Sequence, residues 1–385
     1  MVRQFTALYV HVPFCAAKCG YCAFYSVAGA SPELRQRYLE RLERELAAHE
    51  AECAAMDSAY VGGGTPSFLS AGELDALLGA LREHVELREG AEFTVECNPD
   101  SLTSDKVDVL VARGVNRVSL GVQSFCERLR ETIGRGGSLD GLQTVLDALK
   151  RGGMANIGMD LIYAILGQTL EDWRSDLRRA CAAGIRHLST YELTVEEGAR
   201  LARCQRGGLA RRRSGDLSQG KARPVGEELA AAMWRAAAEV AAEHGLARYE
   251  VSNLAQPGCE CRHNDAVWHG GTYLGVGPAA SSFDGDVRRT NPRDLAAWLN
   301  GAAPEEDRLP PEVRAAEILA FGLRTVRGWT RQEFLDRTGF DYVGLRGRIL
   351  AELSAEGLLD LTPEAVRPTD RGLLFADHVA RRLLS

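Results

Sequence analysis

The stretch from residue 9 to residue 22, YVHVPFCAAKCGYC, decides how this chain is interpreted. It contains three cysteines, Cys15, Cys19 and Cys22, spaced C-x3-C-x2-C, with Tyr21 directly before the third. Cysteine thiolates hold iron–sulfur clusters, and a [4Fe–4S] cube has four irons, so three thiolates leave one iron open to a further ligand. Structural zinc needs two spaced pairs of ligands, and no second pair lies nearby. The spacing therefore favours a cluster with an open position over structural zinc.

The composition is that of an ordinary globular protein. The 385 residues are 45% hydrophobic and 26% charged, and this length suits one large α/β domain with a smaller one. A formal net charge of -7 does not indicate the basic surface that is typical of nucleic-acid-binding proteins. No apolar run approaches the roughly 18 residues of a membrane helix, and the first ten residues lack the apolar stretch of a secretory signal. We therefore expect a cytoplasmic protein with reduced cysteines and no nucleic-acid partner.

Between residue 7 and about residue 195, short strand-like runs alternate with helical stretches. Most of the runs are almost continuously apolar, as a parallel sheet that is buried on both faces requires. Six strand–helix units in series predict either a partial (β/α)6 TIM barrel or a doubly wound sheet, and periodicity alone does not choose between them. The predicted strands are Ala7–Phe14, Ser58–Val61, Glu92–Cys97, Arg117–Val122, Asn156–Ile162 and His187–Leu193.

In both folds ligands bind at the carboxyl ends of the strands, and unusual residues fall at these ends. The run from Gly62 to Gly64, followed by Thr65, has backbone groups that a small ligand's amine or carboxylate can approach closely. Glu96 and Asp160 can accept hydrogen bonds from an amine or from ribose hydroxyls, and Arg135 can pair with a carboxylate. This convergence predicts a single site next to the cysteines. The other residues at strand ends are Asn98, Gln123, Ser124, Glu192 and Thr194.

The sequence divides into three segments. We expect a core barrel over residues 1–200, a barrel extension and linker over 201–305, and a small C-terminal domain over 306–385. A Gly- and Arg-rich break at 203–224 marks the first boundary as a loop or linker.

The last segment has the element order of a winged helix. Thr330 and Glu333 predict a capping box before a helix. A hairpin is predicted over Leu358–Arg367, followed by a helix from Asp370. Because the chain is acidic, such a domain is expected to dock to a partner rather than to read DNA.

A second group of chemically active residues surrounds His263. This histidine can serve as an axial haem ligand or as a general acid or base, and Trp268 can stack on a flat ligand. The alternative is a loop in which His263 and Asn264 cap backbone groups and the tryptophan packs inward. Cys259 and Cys261 lie beside them as a C-x-C pair that could contact a metal, but a lone short pair seldom forms a site, so packing as small apolar residues is the favoured interpretation.

Taken together, these motifs resemble the radical SAM superfamily. The resemblance rests on YVHVPFC with C-x3-C-x-Y-C, on GGGTP, on VQSF and on IGMDLIY, and it extends over nearly the whole chain. The sequence is most similar to the branch of oxygen-independent coproporphyrinogen III oxidase and the HemW-type haem chaperones. The resemblance implies a radical SAM partial barrel with a winged-helix-like C-terminal domain. It also implies a [4Fe–4S] cluster on Cys15, Cys19 and Cys22, with S-adenosylmethionine (SAM) chelating the fourth iron.

The resemblance further implies residues that contact SAM. In this superfamily an electron from the reduced cluster cleaves SAM to methionine and a 5′-deoxyadenosyl radical. Thr194 is a weaker match to the branch, and Tyr21 matches its aromatic residue before the third cysteine. The positions that match its SAM contacts are Tyr9, Gly63, Gly64, Thr65, Glu96, Gln123, Arg135 and Asp160.

Three features favour the haem chaperone over the oxidase. The oxidase carries another cysteine two residues after its third cluster ligand, where this chain has Phe24. The oxidase also has a substantial N-terminal extension, whereas 14 residues precede the cluster motif here. HemW-type chaperones carry an H-N-x-x-Y-W haem motif, which His263, Asn264 and Trp268 match, with Val267 in place of the tyrosine. We therefore expect haem binding and transfer to acceptor proteins, among them membrane-bound respiratory enzymes.

Two enzymatic functions stay open at this stage. One is the oxidase reaction of haem biosynthesis, a radical decarboxylation of coproporphyrinogen III propionates. The other is a related radical SAM methyltransferase or cyclopropanase. Either would require an electron donor such as flavodoxin or ferredoxin.

Overall fold

A twelve-stranded sheet forms the centre of the protein. The computed structural model describes residues 4–194 and 225–385. In chain order the strands are β1 Ala7–Val12, β2 Phe14–Cys15, β3 Val27–Ala28, β4 Ala54–Gly63, β5 Glu86–Cys97, β6 Arg117–Gln123, β7 Asn156–Tyr163, β8 His187–Glu192, β9 Ala247–Arg248, β10 Asn253–Ala255, β11 Tyr273–Val276, β12 Ser281–Phe283, β13 Arg288–Thr290, β14 Glu305–Asp307, β15 Trp329–Thr330, β16 Leu359–Leu361 and β17 Ala365–Pro368.

Helices cover the outside of this sheet and build the C-terminal part of the chain. In chain order they are α1 Pro32–Ala48, α2 Ala71–His84, α3 Ser104–Ala112, α4 Glu127–Thr132, α5 Leu142–Arg151, α6 Leu170–Ala182, α7 Glu227–Ala242, α8 Arg262–Trp268, α9 Leu295–Leu299, α10 Pro311–Gly322, α11 Arg331–Thr338, α12 Tyr342–Ala355, α13 Asp370–Leu374 and α14 Ala376–Leu384.

The sheet resolves the two alternatives in favour of the partial barrel. Strands β1, β4, β5, β6, β7 and β8 are neighbours in this order, and every pair is parallel. Tyr60 on β4 and Tyr191 on β8 are four strands apart, which is about 19 Å in a flat sheet. The pKa of Tyr60 is nevertheless raised by burial, by Glu96 and, among further groups, by Tyr191. Such proximity requires the sheet to curl.

Local sequence signals explain where the helices begin. The Ser31 hydroxyl accepts a hydrogen bond from the N–H of Leu34 at 3.3 Å, and the proline at the first helical position of α1 has no N–H to satisfy. Tyr38, Leu42 and Leu46 then form the fully buried stripe that packs on the sheet. Capping boxes with both reciprocal hydrogen bonds begin α2 and α6.

The inner face of the barrel is polar, which the apolar strand runs did not predict. Along β1, for example, Leu8, Val10 and Val12 are fully buried against the helices, while Tyr9 and His11 face the interior and hydrogen-bond to each other at 3.1 Å. The same period of two holds along the other parallel strands. Further polar residues of the interior are Ser58, Tyr60, Glu92, Thr94, Glu96, Arg117, Ser119, Asp160, His187 and Ser189.

The C-terminal segment has its own hydrophobic core. Buried residues of α10, α11, α12 and α14 and of the three-stranded sheet β15–β17–β16 form it, as in a winged helix. Thr330 caps α11 as predicted, by accepting from the N–H of Glu333 at 3.2 Å. The other hydrogen bond of the predicted capping box, from the Thr330 N–H to the Glu333 carboxylate, does not form. The Glu333 carboxylate pairs with Arg327 at 2.7 Å instead.

The stretch from residue 249 to residue 290 contains regular structure that the sequence did not indicate. Strands β10, β11, β12 and β13 and helix α8 lie there, and β11 extends the parallel sheet on the β1 side. The boundary that we expect at residue 200 falls outside the described residues, as does the break at 203–224. In the part of the chain that the structure describes, no helix has the length and apolarity to cross a membrane.

Candidate cluster and cofactor site

The three cysteines lie on one loop at the carboxyl end of β1. Cys15 is in β2, which pairs with β3, and Cys19 and Cys22 follow on the loop between these two strands. All three are partly exposed free thiols. Their sulfur atoms are not all within 4.8 Å of one another, whereas thiolates on a single zinc ion, at about 2.3 Å from the metal, would be. In this conformation the three sulfurs are thus not gathered around a single metal ion.

Two side chains donate hydrogen bonds to these sulfurs. The Thr65 hydroxyl lies 3.5 Å from Cys15 Sγ, and Arg135 Nη1 lies 3.7 Å from Cys19 Sγ. Burial raises the pKa of the thiols of Cys15 and Cys22. Donors that point at a sulfur stabilise its thiolate form, so the loop fits a cluster held by thiolates.

The glycine run at the end of β4 packs closely against β1 and the cysteine loop. A Cβ on Gly64 would lie 2.7 Å from the carbonyl oxygen of Phe14, and Gly63 has a φ of +110° that a side chain would strain. The N–H groups of Gly64 and Thr65 donate to carbonyls of Val12 and Phe14 at 2.7 and 2.8 Å. These N–H groups are therefore already paired and are not free to donate to a ligand carboxylate.

Glu96 is the carboxylate at the centre of the candidate site. Its Oε1 accepts from the Tyr60 hydroxyl at 2.7 Å, and its Oε2 accepts from the N–H of Gly63 at 3.2 Å. Burial, helped by the nearby Asp160, raises the pKa of Glu96 to about 7 against these two hydrogen bonds. Asp160 accepts from the Ser119 hydroxyl at 2.9 Å, and burial raises its pKa as well. Two carboxylates that titrate above their usual range indicate a place for a hydrogen-bond donor or a cation.

Gln123 ends β6, and Arg135, three residues after α4, lies beside it and next to Cys19. Gln123 has a φ of +70°, unusual outside glycine, and the β6–β7 register shifts at this point. Gly121 leaves the room that both side chains occupy: a Cβ there would lie 2.9 Å from Gln123 Nε2 and 3.2 Å from Arg135 Nη2. Arg135 Nη2 donates to the carbonyl of Gly121 at 2.7 Å. The strained backbone at Gln123 thus places its side chain beside the Arg135 guanidinium, which contacts Cys19.

The remaining predicted contacts divide between this site and its surroundings. The Tyr21 ring packs on an apolar cluster of α4 and β7, and burial raises the pKa of its hydroxyl, with Cys19 contributing. Tyr9 lies deeper in the barrel, where its ring packs near Tyr60 at 6.2 Å between centroids. Thr194 is exposed, and its hydroxyl reaches only the carbonyl of Glu192 at 3.5 Å.

Helix α8, which carries the H-N-x3-W residues, closes the amino-terminal end of the barrel. His263 is 5% exposed and shares a hydrogen bond of 3.0 Å with the Ser58 hydroxyl of β4. The Glu92 carboxylate of β5 accepts from the N–H groups of Arg262 and His263 at 2.9 and 3.2 Å, and from the Cys261 thiol at 3.4 Å. Glu92, a residue of strand β5, thereby caps the start of helix α8.

The predicted haem residues do not share a face of this helix. At 100° per residue, His263 lies about 100° around the helix axis from Asn264 and about 140° from Trp268, so the histidine points away from the face that the other two share. Trp268 packs on Phe321 and under the Arg324 guanidinium, at 6.1 and 5.2 Å between group centres, on the side of the C-terminal segment. The described conformation therefore has no open haem pocket at this motif.

Sequence reasoning missed the residues that hold the site together. Tyr60, Ser119 and Glu92 lie mid-strand, on the inner face of the barrel, and none belongs to a motif. The alternation of polar and apolar residues along β4, β5 and β6 could have identified these residues. It was overlooked because the strands were interpreted as almost continuously apolar.

Comparisons with known proteins agree with this geometry. The family model for the Radical SAM superfamily matches residues 9–180, and that for the HemN C-terminal domain matches 309–375. The solved structure of coproporphyrinogen III oxidase (HemN) from Escherichia coli, a radical SAM enzyme, superposes with a TM-score of 0.83 at 21% identity over 99% of this chain and 91% of its own. At this identity the similarity establishes the fold.

Relatives of higher identity are named as chaperones. "Heme chaperone HemW" of Lactococcus lactis is 33% identical over 100% of this chain and 98% of its own length. The protein of the same name from Mycobacterium tuberculosis is 35% identical over 100% and 96%, and that from Escherichia coli is 30% identical over 98% of both. With the three-cysteine loop at the mouth of a partial barrel, the chain therefore belongs to the radical SAM superfamily, in the family of the HemW proteins.

Proposed function

We propose that this chain is a haem chaperone that holds a [4Fe–4S] cluster and SAM in its barrel, binds haem and passes it to acceptor proteins. The observation that carries the chaperone function is full-length similarity to proteins that are named heme chaperones. Phe24 supports it, because this 68% exposed side chain stands where the oxidase branch has a further cysteine.

In this proposal the residues at the carboxyl end of the barrel hold the cluster and SAM. Cys15, Cys19 and Cys22 supply thiolates for three irons, and Arg135 and Thr65 donate hydrogen bonds to the sulfurs. A reduced cluster with SAM supplies one-electron chemistry. The protein's part is to bind, to orient and to keep the site closed to water.

A second group of residues orients SAM. The carboxylates of Glu96 and Asp160 accept from its amine and ribose hydroxyls, and Gln123 is held toward the same space by its strained backbone. Gly63 and Gly64 let the backbone approach the amino-acid part, and Tyr9 and Tyr21 line the deeper and outer edges.

His263 is the haem contact of this proposal, with Asn264 and Trp268 as neighbours in the motif. Because His263 is buried against Ser58, haem has to bind a conformation in which α8 has moved away from the barrel end. Haem is thus a cargo whose binding requires α8 to move away from the barrel. Acceptor proteins, among them membrane-bound respiratory enzymes, receive it, and the cytoplasm is the proposed location.

Side-by-side assays test the proposal. The cluster is reconstituted without oxygen, and the same sample is titrated with haem and incubated with coproporphyrinogen III, SAM and a flavodoxin or ferredoxin electron donor. The chaperone function predicts a stable haem complex without turnover. Turnover without a stable haem complex would replace it by the oxidase function.

A pair of variants tests the haem contact. His263→Ala is expected to lower haem affinity and change the haem absorption spectrum. His244→Ala is the matched control, because His244 is an exposed histidine just after α7. Equal spectra and affinities in both variants would remove His263 from the haem site.

A further inference from the structure

Tyr60 touches both of the sites in the proposed function. Its hydroxyl donates to Glu96 Oε1 at 2.7 Å, at the end of the barrel where SAM is proposed to bind. Its ring lies 5.2 Å from the ring of His263, centroid to centroid, with 35° between the planes. A single side chain on β4 thus spans the distance between the cofactor end of the barrel and α8.

Tyr60 and Glu96 are partly exposed but in close contact with each other and with the backbone at Gly62. A Cβ on Gly62 would lie 2.8 Å from Glu96 Oε2 and 3.0 Å from Tyr60 Cε1, so both side chains fill the space that this glycine leaves. The second oxygen of Glu96 is held by the N–H of Gly63. A change at Glu96 is therefore passed to the Tyr60 ring rather than absorbed between them.

The strength of the Tyr60 hydrogen bond depends on the charge of Glu96. Because the pKa of Glu96 is raised to about 7, its carboxyl group is partly neutral near neutral pH. An amine N–H of SAM beside Glu96 would favour the ionised form. A hydroxyl bonded to a carboxylate is held more strongly than one bonded to a neutral acid. SAM binding would therefore fix the Tyr60 ring in place.

A fixed Tyr60 ring opposes the movement that haem requires. His263 has to leave its contacts with Ser58 and Tyr60 before its ring can reach an iron. Any ligand that stabilises these contacts stabilises the closed conformation of α8 and weakens haem binding, and by linkage haem weakens SAM binding by the same factor.

We propose that Tyr60 is a positioning residue that orients the Glu96 carboxylate for SAM and, through its ring against His263, makes SAM and haem binding mutually antagonistic. This inference rests on the proposed function, since it needs both ligands to bind. It assigns SAM a task that does not require its cleavage: SAM keeps the haem motif closed, and departure of SAM releases it.

Haem titrations of the cluster-loaded protein, with and without saturating SAM, test this coupling. In the wild type, SAM is expected to raise the haem Kd about five-fold, the factor that corresponds to the ~1 kcal/mol by which a charge-assisted hydrogen bond exceeds a neutral one. Tyr60→Phe keeps the ring and removes the hydroxyl, so its haem Kd is expected to be the same with and without SAM. Its SAM Kd is expected to rise several-fold.

Tyr163→Phe is the matched control. Tyr163 is a buried strand tyrosine whose hydroxyl also donates to a glutamate, Glu192 at 3.5 Å, without contact to His263. It is expected to keep the wild-type five-fold effect. The change in the electron paramagnetic resonance spectrum of the reduced cluster on SAM addition, and circular dichroism, verify that each variant binds SAM and is folded.

The outcomes separate this inference from the proposed function. If haem and SAM both bind but the wild-type haem Kd does not respond to SAM, the coupling is wrong and the chaperone function stands. Wild-type coupling in Tyr60→Phe would equally overturn the role of this hydroxyl. Absence of haem binding to the wild type would overturn the proposed function and the coupling with it.

Discussion

Arg135 joins the cluster loop to the end of β6: its Nη1 lies 3.7 Å from Cys19 Sγ while its Nη2 donates to the carbonyl of Gly121 at 2.7 Å. The planar guanidinium makes both bonds at once in a fixed geometry, which a lysine ammonium cannot reproduce. The strand that carries Gln123 is thereby fixed relative to a cluster sulfur.

Arg135→Lys is expected to lower the reduction potential of the cluster. The variant keeps the positive charge but loses the N–H···S bond, and hydrogen bonds to cluster sulfurs raise the potential. A loss of ~1 kcal/mol corresponds to ~40 mV for a one-electron couple. A redox titration followed by electron paramagnetic resonance measures it. Arg128→Lys on the exposed face of α4 is the control, and equal potentials in all three proteins would contradict the assignment.

Cys15→Ser is expected to lose most of the bound iron and acid-labile sulfide. A serine oxygen is a poor substitute for a thiolate on iron, and the Thr65 donor then has no sulfur to stabilise. Cys126→Ser serves as the control, because Cys126 is also partly exposed, lies at the start of α4 and belongs to no predicted ligand set. Analysis of iron and sulfide after anaerobic reconstitution decides the matter, and a full cluster in Cys15→Ser would refute the ligand set.

Glu96→Gln is expected to weaken SAM binding and to remove part of its pH dependence. The pKa of Glu96 is about 7 in the free protein, and SAM favours the ionised form, so wild-type affinity falls as the pH drops below 7. The SAM amine also titrates, but it does so equally in both proteins. The wild-type Kd should therefore rise more steeply than that of Glu96→Gln, by up to tenfold per pH unit below pH 7. Parallel profiles from calorimetric titrations would show that Glu96 does not bind SAM.

The fold was largely predictable because its signals are local. Strand and helix order follow from periodicity and caps, and the parallel topology sends every strand's carboxyl end to the same edge, so Cys15, Glu96 and Asp160 could be placed together. The rest depends on distant partners. His263 is held by Ser58 and Glu92, which are 205 and 171 positions away along the chain. No pattern near residue 263 reports which way α8 faces, so the sequence left open whether His263 is a haem ligand or part of a packed segment.

Glu250→Gln is expected to make the stability of the protein less dependent on pH. Glu250 is 1% exposed, and burial raises its pKa from 4.5 to about 7. Between pH 4.5 and pH 7 the folded state therefore keeps a proton that the unfolded state has lost. The contribution of Glu250 to the free energy of unfolding is fully present below pH 4.5 and is lost as the pH rises to 7. The loss amounts to ~3 kcal/mol at 1.36 kcal/mol per pKa unit.

Glutamine stays neutral and still accepts the hydrogen bond that Glu250 takes from the Ser252 N–H at 3.0 Å. Urea unfolding at pH 5 and at pH 8 should therefore show a smaller decrease in the free energy of unfolding for Glu250→Gln than for the wild type. Glu228→Gln on the exposed start of α7 controls for the removal of a surface charge. An equal decrease in Glu250→Gln and in the wild type would mean that Glu250 is ionised in the folded protein, because a group that is charged in both states contributes no slope.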